Sequence, residues 1–166
     1  MTSSSRLLTL VVGAALAAAP MYAQSASIAA TANVVTPLAV TGTAPLAFGN
    51  VFQGVNKTIA HGDATSGRFS VTGFSTSQVA LTFTLPTTLA SGTNTMPIDT
   101  YDVRVNGTNA PATATALTVV SGTAVNSNLV AGSLFVFVGG RVVPAAAQAP
   151  GAYTGSIVLA AAYTGL

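Results

Sequence analysis

Cysteine, tryptophan and glutamate are absent from this 166-residue chain, and five basic and three acidic residues are its whole complement of charge. Without cysteine there is no disulfide or thiolate chemistry, so the core alone must hold the fold. A net charge of +2 from so few groups provides no clustered basic face for nucleic acid. The three acids, Asp63, Asp99 and Asp102, are too few for a dedicated calcium site, which gathers several oxygen ligands. A serine triad would have to recruit the one histidine, His61, from a turn flanked by Gly62 and Asp63. Paired carboxylates for glycoside cleavage would have to come from the same three aspartates. No G-x-S-x-G elbow, H-E-x-x-H helix, S-x-x-K pair or phosphate-cradling glycine loop occurs. The composition argues against an enzyme and calls for no cofactor and no metal. Half of the residues are apolar, which argues against disorder.

What is present begins with an export signal. Met1 to Arg6 carries one positive charge, and Leu7 to Pro20 is an apolar run followed by Met21-Tyr22-Ala23-Gln24. This order predicts a signal peptide over residues 1–23, cleaved after Ala23, with Ala26 as the alternative because Met21 is not small. The run falls short of the roughly 20 residues that span a bilayer, and no second one follows. Residues 24–166 are then a single exported domain, extracellular, at the cell surface or periplasmic. Its size is enough to bury a core.

Periodicity in the mature chain is two. Ile28, Ala30, Ala32 and Val34 alternate with small or polar residues, as do Phe69 and Val71, then Val79, Leu81, Phe83 and Leu85, then Tyr101, Val103 and Val105. Near the C-terminus Ile157, Leu159, Ala161 and Tyr163 share one face. Such alternation places the apolar side chains on one side of a pleated strand. Leu134 to Val138 is apolar on both faces and reads as a central strand covered on both sides. Turn residues punctuate these runs, among them Ser91 to Asn94, Asn106-Gly107 and Ala149-Pro150-Gly151, and Asn106-Gly107 suits a tight hairpin. Pro144 to Pro150 reads as a loop, and no amphipathic helix is evident. The chain is therefore expected to be all-β, one antiparallel two-sheet sandwich of roughly eight or nine strands.

Several steps in order carry a family resemblance. An Ala/Thr-rich alternating stretch runs into a V-x-P-L step (Ala29 to Leu38), followed by L-x-F-G (Leu46 to Gly49) and F-x-V-x-G (Phe69 to Gly73). Leu85-Pro86 ends a strand, and A-P-G-x-Y-x-G (Ala149 to Gly155) leads into the final alternating strand. The series resembles the bacterial secreted family called domain of unknown function 4402, across essentially the whole mature chain. That resemblance implies an immunoglobulin-like or pilin-like sandwich, distantly similar to spore-coat-U and archaic pilin subunits. The face Ile157, Leu159, Ala161 and Tyr163 is similar to the C-terminal strand that fimbrial chaperones grip. The chain departs from the pilin pattern in having no cysteines and in carrying three residues after Tyr163.

The reading favoured by these features is a non-catalytic structural or surface subunit, with a carbohydrate- or matrix-binding module as the alternative and an enzyme third. Its partners would be identical or related subunits, or an export chaperone. Ser27 to Val35 can complete its own sandwich, or it can add to the open edge of a neighbour through Ile28, Ala30, Ala32 and Val34. Self-completion is the expectation, because two of the four apolar positions are only alanine and bury little area.

Overall fold

A computed structural model describes residues 24–165, so the expected signal peptide, residues 1–23, lies outside the described residues. The chain divides into two units, Met1–Asn33 and Val34–Leu166. In the first, residues 24–33 form no regular secondary structure and are exposed. The second is all-β. In chain order it contains β1 (Ala39–Ala44), β2 (Lys57–Ile59), β3 (Gly67–Thr72), β4 (Gln78–Thr84), β5 (Thr88–Ser91) and β6 (Asn94–Asn106). A 3-10 turn at Pro111–Thr113 follows, then β7 (Thr115–Ala116), β8 (Ala124–Asn128), β9 (Ser133–Val142) and β10 (Val158–Tyr163).

Two antiparallel sheets face each other. The large one has the order β1-β3-β9-β6-β5, with β2 beside the end of β9 and β7 beside β6; the small one has the order β10-β4-β8. Every alternating run from Phe69 onward forms a strand, because a strand buried on one face must place apolar side chains at every second position. Val79, Leu81 and Phe83 from β4 and Leu159 from β10 meet Val71, Val103, Leu134, Val136 and Val138 in one core. The central position expected for Leu134 to Val138 is observed: β9 pairs with β3 on one side and β6 on the other. Its outward-facing Phe137 is also fully buried, with Arg68 stacked 5.7 Å from the ring centroid.

Three expectations need correction. The described residues form ten strands against the roughly eight or nine expected, because the two-residue β7 and three-residue β2 exist only through pairing with β6 and β9. Asn106-Gly107 does not close a tight hairpin; the chain loops through Pro111–Thr113 before β7 returns to Arg104 and Val105. A Cβ on Gly107 would sit 2.5 Å from the Val130 Cβ, so glycine answers a close approach here rather than a positive φ. The strand expected over Ser27 to Val35 is not formed. None of residues 24–38 is in a strand, and Ile28 and Val34 are 95% and 92% exposed. The alanines at positions 30 and 32 bury too little to offset the entropy of ordering the segment.

Two ends of the sandwich matter below. At the Tyr163 pole lie the start of β1, the end of β3, the start of β9 and the end of β10, as the pairs Ala39–Thr72 and Thr72–Ser133 and the Tyr163 hydroxyl bonds to Thr36 O and Phe74 N require. At the Gln148 pole lie the end of β9, the start of β2 and the turn between β5 and β6.

Candidate functional site

The two sheets differ in length, and an open groove follows from the mismatch. β6 and β9 have 13 and 10 residues, whereas β4, β10 and β8 have 7, 6 and 5. Toward the Gln148 pole the large sheet therefore runs on past its covering partner. A second apolar cluster lies there, built from Phe48, Ile59, Met96, Ile98 and Val142. Irregular segments on both sides make the walls. One follows β1 through Leu46 and Phe48, and the other is 149–157, leading into β10. Between them is a groove of about 1410 Å³. This exceeds the roughly 300–1,000 Å³ of ordinary small-molecule sites.

Its lining is uncharged and mostly apolar, including Leu46, Phe48, Phe69, Met96, Ile98 and Ile157. Gly42 to Ala44 of β1 border it, and the outer edge of β1 is unpaired because β1 ends the large sheet. Along 149–157 one bridge, Ala90–Thr154, ties main chain to main chain, at 2.8 and 2.9 Å. The far end of that wall is positioned by side chains. Gln148 Nε2 donates to the Tyr153 hydroxyl at 2.6 Å and to Thr95 O at 3.0 Å, and Gln53 Nε2 donates to Gln148 O at 2.6 Å. On the floor side, the Tyr101 hydroxyl donates to Pro86 O at 2.7 Å, and burial pushes this phenol up to about 12. What the groove offers is unpaired backbone beside apolar pockets, the requirements of β-strand addition.

The C-terminal face divides its work. Leu159 is buried and Ala161 and Tyr163 pack against the core, while Ile157 lines the groove. Ile28, Ala30, Ala32 and Val34 are all exposed. Phe52 stands at the groove rim, 74% exposed, and sequence periodicity provided no sign of it because it lies on a turn.

Among the described residues the charged side chains gather on the large sheet and its loops. His61 Nδ1 and Asp102 Oδ2 are 2.6 Å apart, and Arg104 Nε donates to the other oxygen of Asp102 at 3.2 Å. Asp99 takes two hydrogen bonds from Arg141, each 2.9 Å, and these hold its carboxyl below the usual range. Asp63 accepts from Ala60 N within its own turn. Asp99 and Asp102 are thus parted by an irregularity in β6, with Thr100 at φ 50°, and each is matched to different cations. Among the described residues no three His, Cys, Asp or Glu side chains converge as metal ligands, and no hydroxyl hydrogen-bonds His61.

Burial pushes the Asp102 carboxyl up, but hydrogen bonds from His61 and Arg104 outweigh it and hold the group below 3.8. A carboxylate with a lowered folded-state pKa stabilises the fold at neutral pH and loses that contribution as pH falls through the lowered value. Asp102→Asn should therefore cost about 1 kcal/mol or less at pH 7, because the pair is partly exposed. The gap from wild type should close as pH drops below 3.8, as read from urea midpoints across a pH series.

Comparison with known proteins returns one family. The model described as Domain of unknown function (DUF4402) matches residues 18–163. No curated protein and no solved structure matches the chain. No helix among the described residues is long and apolar enough to cross a membrane.

Proposed function

Because this chain belongs to the domain of unknown function 4402 family, whose name assigns no activity, we propose its role from the groove. The reading is an exported, non-catalytic structural subunit of the cell surface, pilin-like in design, that joins identical or related subunits by β-strand addition. The observation that carries it is a pair of unmatched features in one molecule. An exposed segment alternates Ile28, Ala30, Ala32 and Val34, and an uncharged, mostly apolar groove is bordered by the unpaired edge of β1. Neither Ser27 to Val35 nor the groove lining carries a charge, so no ion is desolvated when they meet. The leader read in residues 1–23 supports export, and an export chaperone would shield the groove before subunits join. A glycan-binding role draws on the exposed Phe52 beside Gln53 and predicts binding on a glycan array.

Light scattering tests the assembly reading. The chain from Gln24 onward should form concentration-dependent oligomers. Deleting residues 24–35 should leave a folded monomer that binds a synthetic Ser27–Val35 peptide and melts higher with it. A full-length protein that stays monomeric at every concentration sinks the reading.

A further inference from the structure

We infer that the turn over residues 50–57 is a binding site for one sugar unit that carries a carboxylate, a uronate in its simplest form. The inference rests on the glycan reading above, not on strand addition, and gives that reading a place and a sugar class.

The turn is held from both ends. Gly49 and Gly54, at φ 61° and 69°, set its two bends. Gly54 N donates to Ala145 O at 3.0 Å, Val55 N closes onto Phe52 O at 3.2 Å, and Gln53 Nε2 donates to Gln148 O at 2.6 Å. Lys57 Nζ reaches back to Asn50 O at 3.0 Å and joins the two ends of the turn. Its apolar side chains are thereby kept at the surface. Phe52 is 74% exposed, more than any other aromatic side chain among the described residues, and Val55 is 57% exposed.

These side chains wall an open cup of about 220 Å³, lined by Asn50, Val51, Phe52, Val55, Asn56 and Lys57. The cup is smaller than the roughly 300–1,000 Å³ of sites for drug-sized ligands, so a single ring fills it. Asn50, Val51 and Phe52 also line the groove, which makes their segment the wall between the two hollows. The lining combines three kinds of chemistry. The Phe52 ring and the two valines offer an apolar surface. Asn50 and Asn56, both exposed, each offer an amide that donates and accepts. Lys57 offers an ammonium with donors left over after its bond to Asn50 O.

A sugar ring presents the matching set, with C–H bonds across one face and hydroxyls around its rim. The carboxylate follows from charge. All three aspartates of the chain are engaged elsewhere: Asp99 with Arg141, Asp102 with His61 and Arg104, and Asp63 with Ala60 N. The Lys57 charge is therefore uncompensated among the described residues. Lys57 is also half-buried, where an opposite charge is worth more than in open water. One ammonium matches one carboxylate. A phosphate would ask for a guanidinium fork or a nest of main-chain amides. A lipid surface would ask for a convex apolar tip, whereas Phe52 and Val55 border a hollow edged with amides.

Titration calorimetry of the chain from Gln24 onward tests the site with two probes, trigalacturonate and the neutral maltotriose. Trigalacturonate is expected to bind more tightly and to lose that advantage at high salt. Phe52→Ala should weaken both about tenfold with melting unchanged, because the ring is exposed. Lys57→Gln should weaken trigalacturonate alone, about threefold, and Lys57→Arg should restore it. Val158→Ala, at a side chain 51% exposed on β10, should change neither. Full binding of both probes by Phe52→Ala overturns the site and leaves the glycan reading standing. Maltotriose bound as tightly as trigalacturonate, with Lys57→Gln silent, overturns the sugar class and again leaves that reading. Binding of neither probe overturns the inference, and a blank glycan array then removes the reading it rests on.

Discussion

Replacing Phe83 by alanine is expected to lower the unfolding free energy by about 3–5 kcal/mol and the melting temperature by about 10–20 °C. The ring is fully buried and projects from β4, the centre strand of a sheet only three strands wide. It shares the inter-sheet core with Val71, Val136 and Val138 from the large sheet and stands in register with Leu159 of β10. Strands on either side hold β4 in place, so the vacated space cannot collapse and the lost contacts are not regained. A domain of this kind has about 5–15 kcal/mol in total and no disulfide in reserve. Phe83→Leu, which keeps most of the volume, should cost about 1–2 kcal/mol by the same measurement. Equal losses for the two variants would mean that the site is strained rather than close-packed.

The second large effect falls on a glycine. A Cβ at Gly139 would lie 2.5 Å from Ile59 O, 2.8 Å from His61 N and 3.0 Å from Ala60 C, all main-chain atoms. The chain leaves β2 at Ile59 and crosses directly over β9 here, which brings His61 to Asp102. Gly139→Val must push that crossing away, and about 3 kcal/mol is expected, with loss of the His61–Asp102 bond. Two controls give this content. At Gly140 a Cβ comes nearest the flexible end of Leu46, at 3.4 Å, with Tyr101 and Phe48 at the ordinary contact distances of 3.6 and 3.7 Å, so Gly140→Ala should cost about 1 kcal/mol or less. Asp102→Asn should add little to Gly139→Val, because the first change has already removed the bond that the second tests.

Legibility from sequence followed the physics of burial. β3, β4 and β10 were readable because one covered face imposes period two, and β9 because LFVFV is apolar on both faces. Phe137 shows what covers the second face: Arg68 of the neighbouring strand lies over it. β2 and β7 were not readable, since their existence depends on partners far away in sequence. Ser27 to Val35 carries the same alternation as β4 yet pairs with nothing in its own unit. Alternation says that a strand can be buried on one face, not against which molecule. The groove arises from unequal strand lengths in two sheets, a tertiary property that no local pattern encodes. Its wall residues Leu46 and Phe48 were visible only as part of a family step.

The bond between Thr36 and Tyr163 joins positions 127 residues apart, and Thr84 must find Val158 across about half of the domain. Pairings of this span place the chain among slow folders, on the millisecond-to-second scale, because loop closure precedes the contacts that reward it. The order in time is then set by position along the chain. In a chain delivered N-terminus first, Ser27 to Val35 is present long before β10, whereas the groove beside β10 exists only after Tyr163 has arrived. On the strand-addition reading, each new copy would offer its strand before it could accept one, and assembly would have a built-in direction.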